Sequence, residues 1–124
     1  MHRYTLGFQE IDKTKLALVG GKGANLGELS RIEGIRVPEG FCVTTDAYKN
    51  VVEHAPGFSA LLDQLTRLAV DNVERVREIN RKIRDAIEQT PIGNDVEQAV
   101  SEHLQKLGDQ VPYAVRSSAT AEDL

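Results

Sequence analysis

Apolar positions near the start of the chain come in short runs. Arg3 to Phe8 alternates loosely and is rich in β-forming residues, which predicts a short strand. Leu16 to Val19 is an apolar run closed by Gly20-Gly21-Lys22-Gly23, and its periodicity fits a strand and a helical turn equally. Beyond the glycines, Ala24, Leu26, Leu29 and Ile32 fall near helical spacing, so a helix is expected to reach Arg31 or Glu33 and stop before Gly34. Val37-Pro38-Glu39-Gly40 reads as a turn and Phe41-Cys42-Val43 as a buried strand. Thr44 or Thr45 then offers an N-cap, with Asp46 in the first turn, for a helix to about His54 that Pro56-Gly57 breaks.

The middle of the chain has helical periodicity. Phe58, Leu61, Leu62, Leu65, Leu68 and Ala69 form one apolar stripe; Val73, Val76, Ile79, Ile83, Ala86 and Ile87 form a second. After Pro91-Ile92-Gly93 comes a third, of Val96, Ala99, Val100, Leu104 and Leu107, with Asn94 and Glu97 spaced as a capping pair. The charges interleaved with the second stripe, from Glu74 to Arg84, read as a solvated face. Val111 to Val115 reads as a strand that delivers Arg116-Ser117-Ser118, where Ser118 or Thr120 could cap a following helix holding Glu122 and Asp123. The pattern predicts an α+β chain with a small sheet and about five helices. Residues 1–124 read as one partial domain, incomplete at its C-terminus, with a helical insert over about 56–107.

Composition narrows the chemistry. With 40% apolar residues and no Trp among 124, the core must be built from Leu, Ile and Val. A net charge of −4 without a Lys/Arg block gives no electrostatic ground for nucleic-acid or anionic-membrane binding. A phosphate ligand would therefore have to be held by local positive groups. Cys42 is the single cysteine, so neither an internal disulfide nor a cysteine-based metal cluster can form. The opening Met-His-Arg-Tyr-Thr-Leu has no signal-peptide core, and no apolar run is long enough to span a bilayer, so a cytoplasmic location is expected.

Two segments could carry chemistry. In Gly20-Gly21-Lys22-Gly23, glycines let backbone N–H groups approach an anion, the helix start adds positive potential and Lys22 adds a full charge. This is not a Walker A loop, which needs four residues between its glycines and Ser or Thr after the lysine. The plainer alternative is a tight turn with an exposed lysine. In Val115-Arg116-Ser117-Ser118-Ala119-Thr120, the Arg116 guanidinium is a planar fork suited to phosphate oxygens, and the hydroxyls can donate or fix the loop. Its plainer alternative pairs Arg116 with Glu122 or Asp123 and leaves the serines as caps. His2, His54 and His103 sit beside no nucleophile and at no metal-ligand spacing, Cys42 reads as a small core side chain, and Asn25 and Glu28 stay open between ligand contact and simple exposure.

Taken together, Val19 to Leu29, Val37-Pro38-Glu39-Gly40-Phe41 and Val115 to Asp123 resemble the N-terminal part of a nucleotide-binding domain. That domain is shared by phosphoenolpyruvate synthase, pyruvate phosphate dikinase and rifampin phosphotransferase. The resemblance spans nearly the whole chain, and Phe41 to Thr45 with the early start at Tyr4 lean toward the rifampin branch. It implies an ATP-grasp type of lobe with ATP as ligand, Lys22 and Arg116 on its phosphates, and Gly21, Gly23, Ser117 and Ser118 nearby. Such enzymes split ATP to AMP and phosphate and pass the β-phosphoryl group through a histidine on a separate mobile domain to pyruvate or an antibiotic hydroxyl. Mg²⁺ is implied for the intact protein, but its acidic ligands, the covering glycine loop and the phosphohistidine domain have no counterpart among these residues. The chain is thus expected to be an inactive part of an ATP-dependent phosphotransferase whose partners are ATP and the missing domains. The alternative is a non-catalytic remnant serving as a protein-interaction or regulatory module.

Overall fold

The computed structural model describes residues 3–69, 71–108 and 110–120. The strand predicted near the amino terminus forms at Thr5–Gly7 (β1) and pairs antiparallel with Phe41–Val43 (β2), placing Thr5 opposite Val43, Leu6 opposite Cys42 and Gly7 opposite Phe41. Main-chain bonds lengthen the ladder at both ends, Phe8 N to Gly40 O and Thr44 N to Tyr4 O, each 3.0 Å. Among the described residues there are five α-helices: α1 (Leu16–Leu29), α2 (Thr45–Glu53), α3 (Phe58–Thr66), α4 (Val73–Gln89) and α5 (Asn94–Leu107). The ambiguous run Leu16 to Val19 is the first turn of α1. Thr44 is the cap of α2: its buried hydroxyl accepts from Ala47 N at 3.3 Å and donates to Arg3 O at 2.6 Å.

Four expectations are corrected. Phe41-Cys42-Val43 is a strand but not a buried one; Val43 is 53% exposed, because a two-stranded ribbon has only one covered face. Val37 to Gly40 is irregular, not a turn, since Pro38 biases Val37 toward extended backbone. The helix expected to reach Arg31 or Glu33 ends at Leu29, where Ser30 Oγ donates back to Gly27 O at 2.6 Å. Val111 to Val115 is not a strand: among the described residues the sheet is β1 and β2 alone, and Val115, 90% exposed, has no ladder to join.

The chain divides into two compact units, residues 1–48 with 94–124, and residues 49–93. In the first unit α5 packs on β1. In the second unit α3 packs on α4, and Val52, Ala55, Ile79 and Thr90 are buried. The charges of α4 stay on a solvated face, with Arg75 and Lys82 within 3.0 and 3.5 Å of Glu78. Among the described residues no helix is long and apolar enough to cross a membrane.

The core of the first unit is Leu6, Ile11, Val19 and Ala24, with Phe8, Leu18 and Cys42 packed against it. Ile11 reaches it because Gly27 has no side chain; a Cβ there would lie 2.5 Å from Ile11 Cγ2 and 2.5 Å from its carbonyl oxygen. The segment carrying Ile11 is then tied along α1 by polar bonds. Glu28 accepts from Lys13 N at 2.6 Å, and Arg31 donates to Ile11 O at 3.2 Å and Gln9 O at 2.9 Å. Glu28, left open by sequence, is engaged in holding this segment.

Gly27→Ala is expected to lower unfolding stability by about 1–3 kcal/mol through overpacking against Ile11. An unchanged denaturant midpoint would contradict that packing. A second expectation concerns Glu10, whose carboxylate lies 2.7 Å from Arg3 Nη1 and accepts from Gly7 N at 2.9 Å. The Arg3 bond chiefly holds its pKa below the ordinary 4.5, and any stability it adds is present above that value and lost as pH falls through the lowered one. NMR titration should place the Glu10 midpoint below 4.5 and move it upward in Arg3→Ala; equal midpoints would mean the pair does not form in solution.

Candidate functional site

The glycine segment and the Arg-Ser-Ser segment meet at a break in α1. Gly20 has φ 75° and ψ 174°, a region open essentially to glycine alone, so the helix stops and restarts at Gly21. The restarted segment has its own orphan N–H groups, which need acceptors outside the helix. A residue at the position of Gly20 would ordinarily supply one from its side chain. Glycine has none.

The acceptors come from the other end of the chain. Ser118 Oγ accepts from Gly23 N at 3.1 Å across 95 positions and donates to Val19 O at 2.6 Å. Ala119 O accepts from Gly21 N at 3.0 Å. The bond from Ser118 to the third residue of the helix is the one a capping serine normally makes, supplied here by a distant residue. Ser118 also lies where a residue 20 side chain would begin: a Cβ on Gly20 would be 2.8 Å from Ala119 N and nearer still to Ser118 Oγ. Gly23 is equally confined, with Cys42 Sγ 3.0 Å from where its Cβ would be. Burial raises the Cys42 thiol pKa, in keeping with a packing role.

Lys22 lies between the two bonded glycines and Arg116 two residues before Ser118, and both are exposed. Chain geometry keeps their Cα atoms within about 15 Å, a span that two long side chains and a polyphosphate can bridge. Ser117, between Arg116 and Ser118 in sequence, is exposed. The glycine amides, expected from sequence to approach a phosphate, are instead occupied: Gly21 and Gly23 hold Ala119 and Ser118. Ser118 caps the helix that restarts at Gly21. The alternative pairing of Arg116 with Glu122 or Asp123, and the helix expected there, lie outside the described residues, as does His2.

The remaining candidates stand apart. His103 stacks on Phe41 with ring centroids 4.8 Å apart, and burial is the main cause of its lowered pKa. It borders an open depression of about 410 Å³ with Phe8, Pro38, Gly40 and Lys106, which includes neither Lys22 nor Arg116. His54 Nδ1 is 2.7 Å from Asn50 O in its own helical turn. Among the described residues no group of three or more His, Cys, Asp or Glu side chains could hold a metal ion.

The capping role of Ser118 was not foreseen from sequence. Its signal was a helix start with glycine where a capping side chain belongs.

The α+β unit thus joins a glycine turn that carries Lys22 to the Arg-Ser-Ser segment. Residues 16–124 match the family described as pyruvate phosphate dikinase, AMP/ATP-binding domain, and the chain belongs to that family. It is 53% identical over 124 residues to a rifampicin phosphotransferase of Bacillus subtilis and 52% over 122 residues to one of Streptomyces sviceus. It is 36% identical over 129 residues to a probable phosphoenolpyruvate synthase of Methanothermobacter thermautotrophicus. These alignments take in 98–100% of this chain but only 14%, 14% and 19% of the respective relatives.

Gly20→Ala is expected to cost about 1–3 kcal/mol from backbone strain alone and to displace Ser118. Amide exchange at Gly21 and Gly23 should quicken. Retained stability and protection would mean that residues 118–119 do not sit on the turn.

Proposed function

We propose that this chain supplies the N-terminal part of an ATP-grasp type lobe in an ATP-dependent phosphotransferase, with Lys22 and Arg116 gripping the nucleotide phosphates. The observation that supports the reading is the junction of the two segments through Ser118 and Ala119, whose sequence neighbours Arg116 and Lys22 are both exposed. Lys22 offers a mobile point charge and Arg116 a two-point fork, and charge-assisted bonds of this kind are the strong ones. Because the glycine amides are engaged elsewhere, the side chains carry most of the recognition.

The remaining chemistry is proposed for the longer protein that the relatives' lengths imply. There, other segments would hold Mg²⁺ and cover the phosphates, and a histidine on a separate domain would carry the phosphoryl group. The identity of 53% to a rifampicin phosphotransferase against 36% to a probable phosphoenolpyruvate synthase favours an antibiotic hydroxyl as acceptor over pyruvate. A non-catalytic interaction module has no comparable support.

In the full-length protein, Lys22→Ala and Arg116→Ala are each expected to weaken ATP binding by about tenfold or more, from loss of a charged hydrogen bond worth about 1.5–3 kcal/mol. Titration calorimetry measures this directly. Unchanged affinity in both variants would overturn the phosphate assignment.

A further inference from the structure

We propose that Ser118 is a positioning residue that sets Arg116 against Lys22 by serving as the remote cap of the helix restarting at Gly21, without itself touching the nucleotide. This rests on the phosphate roles of Lys22 and Arg116 given above.

Both functions of the Ser118 hydroxyl are already in use. It accepts from Gly23 N at 3.1 Å and donates to Val19 O at 2.6 Å, so its one proton is committed to a carbonyl. An anionic phosphate oxygen needs a donor, and this hydroxyl has no second proton to give. The same bonds fix the backbone of residue 118 on two sides of the helix break, and Gly21 N fixes residue 119 at 3.0 Å. Arg116 lies two residues upstream, in a stretch that forms no strand and is exposed throughout. Among the described contacts, the anchor closest to it in sequence is Ser118. Gly20 belongs to the same device, since any Cβ would occupy the space that the hydroxyl fills.

The test is a double-mutant cycle in ATP affinity on the full-length protein, with Ser118→Ala, Arg116→Ala and both together. Ser118→Ala should weaken ATP binding about tenfold in the parent background and by less than about twofold once Arg116 is already alanine. Ser118→Thr, which keeps the hydroxyl, should retain affinity within about twofold of the parent. Thermal unfolding without nucleotide accompanies each variant, because a merely structural role lowers the midpoint while leaving the affinity of the folded protein unchanged. Should Ser118→Ala fail to fold, Gly20→Ala, which displaces the hydroxyl from the other side, takes its place in the cycle. Equal losses in both backgrounds, or parent affinity in Ser118→Ala, would overturn the positioning role while leaving the phosphate reading intact. Parent affinity in Arg116→Ala would overturn both.

Discussion

A helix that begins at Gly21 must find acceptors for its first N–H groups, and Gly20 has no side chain to offer. That shortage is what draws residues 118 and 119 onto the turn. Holding together segments 95 positions apart costs chain entropy of about 4 kcal/mol by the logarithmic loop law. The three bonds made by Ser118 and Ala119, at a net 0.5–1.5 kcal/mol each, come to about 1.5–4.5 kcal/mol. The two sides nearly balance, so the junction also depends on what α5 contributes just upstream. Its packing on β1 and the stacking of His103 on Phe41 already bring the returning chain back to the first unit.

The junction also decides how this acidic chain can attract a polyanion. A helix start carries roughly half a positive charge, which an approaching phosphate would feel. Yet the directed bonds that normally accompany that charge go to two neutral oxygens, Ser118 Oγ and Ala119 O. The helix start retains its potential but not its usual hydrogen-bond geometry. On the reading proposed above, full charges on Lys22 and Arg116, both exposed, would do the orienting. Recognition of this type relies on where the two side chains are rooted, since neither is confined by burial.

The apolar stripes made most of the fold legible. Val76, Ile79, Ile83, Ala86 and Ile87 are buried or half-buried on α4 as their spacing predicted, though Val73 of the same stripe is exposed, and the break at Pro56-Gly57 falls where proline and glycine require it. The misreadings share a cause. Val111 to Val115 has strand composition, but strand formation depends on a neighbour, and local sequence cannot say whether one is present. Phe41 to Val43 has core composition, but its burial depends on how many layers cover the sheet. Glycine, lysine and arginine suggested a phosphate ligand from sequence, whereas the hydrogen-bond partners of Gly21 and Gly23 depend on a contact across most of the chain. Periodicity holds no information at that distance.

A serine at position 20 could in principle have capped the helix locally, and the turn would then form without reference to the rest of the chain. Placing glycine there and the hydroxyl at position 118 makes the helix start and the setting of Arg116 a single event. Neither segment can be satisfied alone: without Ser118, Gly23 N and Val19 O each lose the partner that answers them, and without the turn, residues 118 and 119 lose theirs. Small changes on either side are thus felt on the other. A Cβ at Gly20 and a lost hydroxyl at Ser118 should disturb the same geometry from opposite directions, and that equivalence follows from steric and hydrogen-bond constraints alone.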